Sequence, residues 1–270
     1  MKNLNQLNKV AWNAYQEDYF RFHLMERPDF FEFFTQGGVL LDDYLIEMLG
    51  DVRGLKLFDT CCACDAVQAF SWHNLGAIVT ACDITESAIE IAARNAATMK
   101  LSLDFVVADM QTLEPISDNQ FDIVFATYPV WVQDVDEACR TWYRILKDGG
   151  RLLWQMEHPI TYCIAEDKKG LHIINNYNTP NTEIFEGWDG TPLARRQGGF
   201  HVDLEVAEHF WRISDIINAV CRAGFRIIKA HEDTVPNPTD MNLGFEPKDA
   251  SDEIEMRKLP SEFTVLAIKQ

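Results

Sequence analysis

The feature that most constrains the fold is a buried strand followed by a tight turn, a helix and a second strand that ends in an acid. The first part reads Lys56-Leu-Phe-Asp-Thr-Cys-Cys-Ala-Cys-Asp65, and the second strand reads Leu75-Gly-Ala-Ile-Val-Thr-Ala-Cys-Asp83. In the nucleotide-binding half of a Rossmann-like sheet, such a turn wraps the ligand and such an acid binds ribose hydroxyls. The stretch therefore predicts a nucleotide site at the ends of two neighbouring parallel strands.

The turn lacks the glycines that this kind of site normally uses. Cys61, Ala63 and Asp65 stand where small, conformationally permissive residues are expected. Glycine lets the backbone approach a ligand closely and adopt positive φ. Cys61 and Ala63 are still small, whereas Asp65 brings a negative charge into the turn. The sequence thus predicts a ligand site with an altered loop.

The rest of the chain continues the alternation of apolar strands and helices. Strands are predicted at 55–59, 78–83, 103–108, 121–126, 151–157, 225–230 and 263–268, with helices between them at 66–74, 85–99, 134–146 and 214–223, the last capped by Ser214. The run at 121–126 is largely apolar, as expected of a parallel strand covered on both faces. We therefore predict an α/β fold with a doubly wound, mostly parallel, seven-stranded Rossmann-like sheet.

Two segments lie outside this pattern. Apolar residues at helical spacing predict an N-terminal helical cap over 1–50. Residues 158–210 are rich in proline and glycine, and so long an irregular insertion is usually a lid or a binding arm. Alternation at 172–174 and 201–206 predicts that part of this arm is a β-hairpin. The binding core then comprises 51–157, completed by 211–270.

Charge and hydropathy exclude several classes of partner. The 270 residues carry a net charge of −18, so a phosphate backbone would be repelled and nucleic acid is not expected. No apolar run reaches the roughly 18–20 residues that span a bilayer, and the N-terminus lacks the apolar core of a signal peptide. We expect a cytoplasmic enzyme, monomeric or homodimeric, that acts on a small molecule.

The seven cysteines do not have the spacing of a metal site. Three of them cluster at Cys61, Cys62 and Cys64, but no second Cys or His pair follows at a suitable distance. We expect buried free thiols in a reducing compartment and no bound metal.

The combined motifs resemble the S-adenosylmethionine-dependent methyltransferases of the seven-stranded, Rossmann-like class, and a bacterial small-molecule branch in particular. Besides the turn and the acid, the shared signatures are Asn8-x-x-Ala11-Trp12-Asn13, Phe121-Asp-Ile-Val-Phe125 and Leu146-Lys-Asp-Gly-Gly-Arg-Leu152. They occur in the order of the family, and the altered turn is the departure from it. The resemblance implies S-adenosylmethionine (SAM) as the cofactor.

Carried over position by position, the resemblance implies a set of cofactor-binding residues. Asp83 would accept the ribose hydroxyls, although an acid there also suits a helix cap, and Asp109 would hold the adenine amino group unless it is an ordinary loop acid. The full set is Asp59, Cys61, Ala63, Asp65, Asp83, Ile84, Asp109, Met110, Ala126, Trp12 and Tyr19.

The resemblance places the methyl acceptor after the fourth strand, where Thr127-Tyr-Pro-Val-Trp131 follows. This segment differs from the Asn-Pro-Pro-Tyr signature of amide and base N-methyltransferases. Tyr128 and Trp131 are the first candidates for an aromatic wall around the sulfonium. His158, after the fifth strand, is the candidate base, with Glu157 and His201 as weaker ones. His158 would equally suit a purely structural place at the start of a loop.

The altered turn leaves three interpretations open. The chain transfers the SAM methyl group to a small molecule by SN2 displacement, or it uses SAM without methylation, or it is an inactive SAM-binding module. A non-methylating enzyme would fold SAM so that its own amine attacks Cγ, which yields methylthioadenosine and azetidine-2-carboxylate. We expect methyl transfer.

Overall fold

A seven-stranded sheet organises the chain, as the alternation of strands and helices predicts. The computed structural model describes residues 4–179, 181–188, 202–233 and 255–270. The strands are β1 Lys56–Asp59, β2 Ile78–Asp83, β3 Asp104–Val107, β4 Phe121–Ala126, β5 Leu146–Glu157, β6 Ile164–Asp167, β7 Gly170–Ile173, β8 Asn181–Trp188, β9 Val202–Phe210, β10 Phe225–Asp233 and β11 Glu262–Lys269. The helices are α1 Leu4–Glu26, α2 Phe30–Thr35, α3 Asp43–Leu49, α4 Val67–Asn74, α5 Glu86–Met99, α6 Val135–Ile145 and α7 Ile213–Arg222.

The order of the strands fixes where a ligand can bind. The sheet runs β10-β11-β5-β4-β1-β2-β3, and β1 pairs in parallel with both β2 and β4. β11 is antiparallel to both of its neighbours, so the sheet is mostly parallel. From β1 the chain first builds β2 and β3 on one side and then β4 and β5 on the other. This reversal opens a crevice at the carboxyl ends of β1 and β4.

The two faces of the sheet are covered by different helices. One core cluster packs α2, α3, α4 and α5 on the sheet around Trp72, and the other packs α6 and α7 around Trp142. β4 contributes to both clusters, since Phe125 faces the first and Val124 the second. Burial on both faces explains why this strand is apolar instead of alternating.

The arm after β5 contains two hairpins in place of one. β6 pairs with β7, and β8 pairs with β9, each antiparallel. The predicted alternation at 172–174 and 201–206 thus belongs to two separate hairpins. β9 is fastened to the N-terminal helix, because the Asn8 side chain donates to the Ala207 carbonyl oxygen at 2.8 Å and accepts from its N–H at 2.7 Å.

One predicted helix start is wrong. α7 begins at Ile213 with Arg212 as its N-cap, not at Ser214. The Arg212 N–H donates to the Asp215 carboxylate, and the Arg212 guanidinium binds the same carboxylate at 2.8 Å. This pairing satisfies the cap, so the serine hydroxyl is not needed. No helix in the described part of the chain combines the length and the apolar character that crossing a bilayer requires.

Candidate functional site

Three buried carboxylates meet at the carboxyl ends of β1 and β2. Asp59 is fully buried, and Asp65 and Asp83 are each 6% exposed. Asp59 Oδ1 accepts from the Cys61 N–H at 3.2 Å, whereas Asp59 Oδ2 has no hydrogen-bond partner among the described residues. Burial raises the pKa of Asp59 to about 7, and the charges of Asp83 and Asp65 add to this effect. Asp59 therefore has one buried oxygen without a donor in the described part of the chain, in a group of three acids that repel one another when they are ionised.

Asp83 supports the turn from the next strand. Its Oδ1 accepts from the Thr85 N–H at 2.9 Å and from the Thr85 hydroxyl at 2.8 Å. The N-cap of α5 is Thr85, whose hydroxyl accepts from the Ala88 N–H at 3.3 Å. Asp83 is thus not the helix cap that its position also allowed, and burial raises its pKa.

The turn adopts left-handed conformations without glycine. Ala63 has φ 52° and Ala66 has φ 47°, whereas Cys61 and Asp65 are not in this region. A left-handed conformation costs roughly 1–2 kcal/mol at a residue with a Cβ atom. Of the three positions where glycine was expected, only Ala63 has a backbone conformation that glycine would adopt more easily. The second left-handed residue, Ala66, lies just after the turn.

Asp65 is turned toward the N-terminal helix. Its Oδ2 lies 3.4 Å from His23 Nδ1, and its charge is the largest cause of the raised pKa of Tyr19. Burial raises the pKa of Asp65 itself, while His23 opposes the rise. The charged residue of the altered loop thus joins that loop to α1, which carries Tyr19 and His23.

The residues after β3 differ in their surroundings. Asp109 Oδ1 accepts from the Gln111 N–H at 2.8 Å, and Asp109 Oδ2 accepts from the side-chain amide of Asn5. Asn5 belongs to α1, so the start of this helix covers the carboxylate. Met110 instead packs in the core beside Trp142, so its burial does not favour the contact with adenine that the resemblance implies.

The residues after β4 combine an unpartnered hydroxyl with a strained tyrosine. Thr127 Oγ1 is buried without a hydrogen-bond partner among the described residues. Tyr128 has φ 53° and is 43% exposed, an unusual conformation for an aromatic residue that is typical of functional sites. The Trp131 ring lies 5.1 Å from that of Trp12, which itself lies 4.5 Å from Tyr15. α1 and the segment after β4 thus share one aromatic cluster.

His158 does not face this crevice with a free nitrogen. Its Nδ1 accepts from the Ile160 N–H at 3.1 Å, and its Nε2 lies 3.4 Å from the Glu232 carboxylate on β10. Burial lowers the pKa of His158, and Glu232 opposes that change. The surroundings correspond to the structural alternative for this residue. His201 lies outside the described residues.

The remaining predicted residues have simpler surroundings. Ile84 is half-buried after β2, and Ala126 is fully buried in the core at the end of β4. The described cysteines are free thiols, and Cys82 donates to the Thr60 carbonyl oxygen at 3.1 Å. Within the described ranges, no group of three His, Cys, Asp or Glu side chains is placed to hold a metal ion.

Glu157, a weaker base candidate from the sequence, belongs to an acidic and aromatic region next to this crevice, whose other members the sequence did not indicate. Glu208 on β9 has a pKa raised to about 7 by burial, with Glu157 and Glu183 as further causes. The Tyr162 hydroxyl donates to the Glu157 carboxylate, and the Tyr162 ring lies 4.6 Å from that of Phe210. The alternation of β9 was a signal for the strand, but nothing local indicated which face its acids would take.

The chain is similar to known methyltransferases in part of its sequence and in its fold. Residues 60–154 match a family described as "Methyltransferase domain". Phosphoethanolamine N-methyltransferase 3 of Arabidopsis thaliana is 29% identical over 122 residues, 45% of this chain and 25% of that protein. The ubiquinone/menaquinone biosynthesis C-methyltransferase UbiE of Cereibacter sphaeroides is 35% identical over 123 residues, 43% of this chain and 49% of that protein. An S-adenosylmethionine dependent methyltransferase from Mesorhizobium loti has a similar crystal structure, with TM-score 0.63, 22% identity, and coverage of 84% of this chain and 96% of that one.

Residues 60–154 match the methyltransferase-domain family, and the chain shares its Rossmann-like fold with the solved methyltransferase structure. The chain spans between a quarter and a half of the length of the two curated relatives. Asp65, Asp83 and Tyr128 lie within the methyltransferase domain, and Asp59 directly precedes it. α1 and the two hairpins lie outside it, so the family match does not define the part of the crevice that they cover.

Proposed function

We propose that the chain binds SAM at the carboxyl ends of β1, β2 and β3 and transfers its methyl group to a small molecule. The observation that carries this proposal is the cluster of Asp59, Asp65 and Asp83 around the unpartnered Oδ2 of Asp59. When bound, the cofactor supplies an activated methyl group on a sulfonium cation and also carries a cationic amino group.

The charge of the site fits such a ligand. No lysine or arginine of the described residues forms an ion pair with Asp59, Asp65 or Asp83. Of these three acids, only Asp65 is paired with His23. Buried carboxylates without cations are unstable, which is why their pKa values are raised. A cation beside Asp59 would lower these pKa values and use the oxygen that lacks a donor.

The neighbouring strand ends fit the rest of the cofactor. Asp83, at the end of β2, would accept the ribose hydroxyls in addition to the Thr85 contacts. Asp109, after β3, would exchange the Asn5 amide for the adenine amino group, since both are N–H donors. Trp12, Tyr19, Tyr128 and Trp131 would supply aromatic faces to the sulfonium.

The reaction needs positioning more than covalent chemistry. In the SN2 step the acceptor lone pair bonds to the methyl carbon while the carbon–sulfur bond breaks, and the electron pair stays on sulfur. The protein holds the two reactants in line and excludes water. Tyr128 follows β4 with a strained backbone, and it would line the edge between cofactor and acceptor.

The first test measures SAM binding by calorimetry with Asp83→Asn and, as a matched control, Asp104→Asn. Asp104 is an exposed acid at the amino-terminal end of β3, whereas the proposed site lies at the carboxyl ends of the strands. We expect Asp83→Asn to weaken SAM binding about 10- to 100-fold, because a hydrogen bond to a charged group is worth about 1.5–3 kcal/mol. Asp104→Asn should bind as the unmodified protein does. Absence of SAM binding to the unmodified protein would contradict the proposal.

The second part identifies the products. S-adenosylhomocysteine that forms only when a small-molecule extract is added supports methyl transfer. Methylthioadenosine formed from SAM alone would instead assign the chain to SAM cyclisation. Binding without either product would make it an inactive SAM-binding module.

A further inference from the structure

A cavity lies in the arm, beside the proposed cofactor site. It has a volume of about 290 Å³ and is lined by residues of the arm and the start of α7, among them Tyr162, Tyr177, Glu183, Phe210 and Trp211. This volume is at the lower end of that of ligand pockets. The walls are held in place: the Trp211 indole donates to the Val132 carbonyl oxygen at 2.8 Å, and Asn175 donates to the Tyr162 carbonyl oxygen at 2.8 Å.

The register of the second hairpin aims Glu208 toward this cavity. Glu208 on β9 is paired directly with Glu183 on β8, and directly paired residues of antiparallel strands share one face. Glu183 lines the cavity, and so does Phe210, which lies two residues after Glu208 on the same face. Glu208 is therefore on the cavity side of the hairpin.

Glu208 also borders the proposed cofactor site. Burial is the main cause of the raised pKa of Tyr15 on α1, and the charges of Tyr19, Glu208 and Asp83 add to it, so both carboxylates lie near this tyrosine. On its other side, Glu208 faces Glu157 at the end of β5, which accepts from the Tyr162 hydroxyl. Glu208 thus stands where the cavity meets the edge of the sheet.

The negative charge at the place where the cavity meets the edge of the sheet favours one class of methyl acceptor. The charges of Glu157 and Glu183 add to the raised pKa of Glu208, and no lysine or arginine of the described residues forms an ion pair with Glu208. Arg212 lines the cavity, but its guanidinium is bound to Asp215 at 2.8 Å. Three carboxylates and several aromatic rings repel an anionic ligand and attract a cationic one.

We propose, resting on the proposed function, that the acceptor is a small amine that enters as its ammonium cation, with its carbon skeleton in the cavity and its nitrogen beside Glu208. The ammonium gives a proton to the Glu208 carboxylate and becomes a neutral amine. The nitrogen lone pair then bonds to the methyl carbon while the carbon–sulfur bond breaks and its electrons remain on sulfur. The products are a methylated ammonium, S-adenosylhomocysteine and one proton, which Glu208 releases to solvent.

The titration of Glu208 suits this role. Its pKa of about 7 leaves a large share as carboxylate at neutral pH, while its conjugate acid releases the proton readily. The groups that face it are Glu157 on β5, Glu183 on β8, Tyr15 on α1 and Tyr162 in the arm. Turnover of an amine should therefore rise with pH through about 7.

The test uses two pairs of probes of matched shape, benzylamine with benzyl alcohol and tyramine with tyrosol. The full chain is first saturated with S-adenosylhomocysteine, and that first binding step tests the proposed function separately. We expect each amine to bind at least about tenfold more tightly than its alcohol, because only the amine carries the charge. Equal affinities, or no affinity for either member of both pairs, would overturn the proposal while leaving the cofactor site intact.

A matched pair of variants tests whether Glu208 causes the preference for amines over alcohols. Glu208→Gln should abolish the preference for amines, and circular dichroism checks that it is folded. Glu205→Gln removes an acid from the same strand at a position of the opposite face and should keep the preference. If Glu208→Gln still prefers amines as strongly as the unmodified chain, Glu208 is not the group that holds the ammonium.

Discussion

At the scale of single residues, the loop after β1 shows how a ligand site is built without glycine. Ala63 and Ala66 both take left-handed φ, and alanine is the smallest residue that still carries the steric cost of a Cβ atom. Asp65 takes a conformation that any residue adopts and uses its side chain to contact His23. The loop thus lacks the conformational freedom of glycine, and the Asp65 side chain contacts α1 instead.

The strain at Ala63 predicts an unusual stabilising substitution. Ala63→Gly should raise the free energy of unfolding by up to about 1 kcal/mol, because the relief of the left-handed conformation exceeds the added entropy of the unfolded chain. Ala93→Gly is the matched control, since Ala93 is exposed within α5. This variant should have a free energy of unfolding lower by about 1 kcal/mol. Denaturant unfolding measures both. A loss at position 63 as large as that at 93 would show that the loop relaxes without strain.

At the scale of elements, α1 is the component that completes the crevice. It contacts the end of β3 through Asn5, the loop through His23, and β9 through Asn8. Asn5 and Asn8 lie near the start of this helix and His23 lies near its end, so one element joins the matched domain to the arm. The N-terminal cap is therefore part of the candidate site and not an independent appendage.

The contact between α1 and β9 can be tested at Asn8. Asn8→Ala should lower the free energy of unfolding by about 2–4 kcal/mol, because it leaves the buried N–H and carbonyl group of Ala207 without partners. Glu17→Ala on the same helix removes only an exposed ion pair with Arg94 and should change stability by less than about 1 kcal/mol. Similar losses in both variants would mean that water replaces the Asn8 contacts at no cost.

At the scale of the whole molecule, the acids divide into a solvated majority and a buried minority. Asp59, Asp65, Asp83 and Glu208 have raised pKa values, with burial as the first cause of each. A carboxyl group whose pKa is higher in the folded than in the unfolded state makes the folded state bind protons more tightly. Asp59 and Glu208 therefore cost stability as pH rises from about 4 to about 7, and Asp65 and Asp83 act in the same direction.

This linkage predicts a stability profile that depends on Asp59. Between pH 5 and pH 8 the free energy of unfolding should decrease, and Asp59→Asn should flatten the decrease, because its folded pKa of about 7 then no longer contributes. Asp104→Asn should leave the slope unchanged, since this acid is exposed. Guanidinium unfolding at four pH values measures the slope, and an equal slope in Asp59→Asn would refute the assignment.

Features of the structure that depend on neighbouring residues could be predicted from the sequence. Contacts between residues far apart in the chain could not. The positions of the core strands along the chain follow from their apolar runs, and the positions of Asp59 and Asp83 follow from the strands that they end. The contact of Asn8 with Ala207 joins residues 199 positions apart, and no local pattern predicts it. The face taken by Glu208 and the partners of His158 depend on the same kind of long-range packing.

The position of α1 has a practical consequence for anyone who divides this chain. The recognisable domain spans 60–154, and a fragment cut at those boundaries would discard Asn5, Asn8 and His23 together with β9. Such a fragment would keep Asp65 and Asp83, but it would lose β1 with Asp59 and the helix that contacts the loop. The first turns of α1 lie outside the matched residues, yet they are the last part of the chain that should be trimmed or fused to a bulky tag.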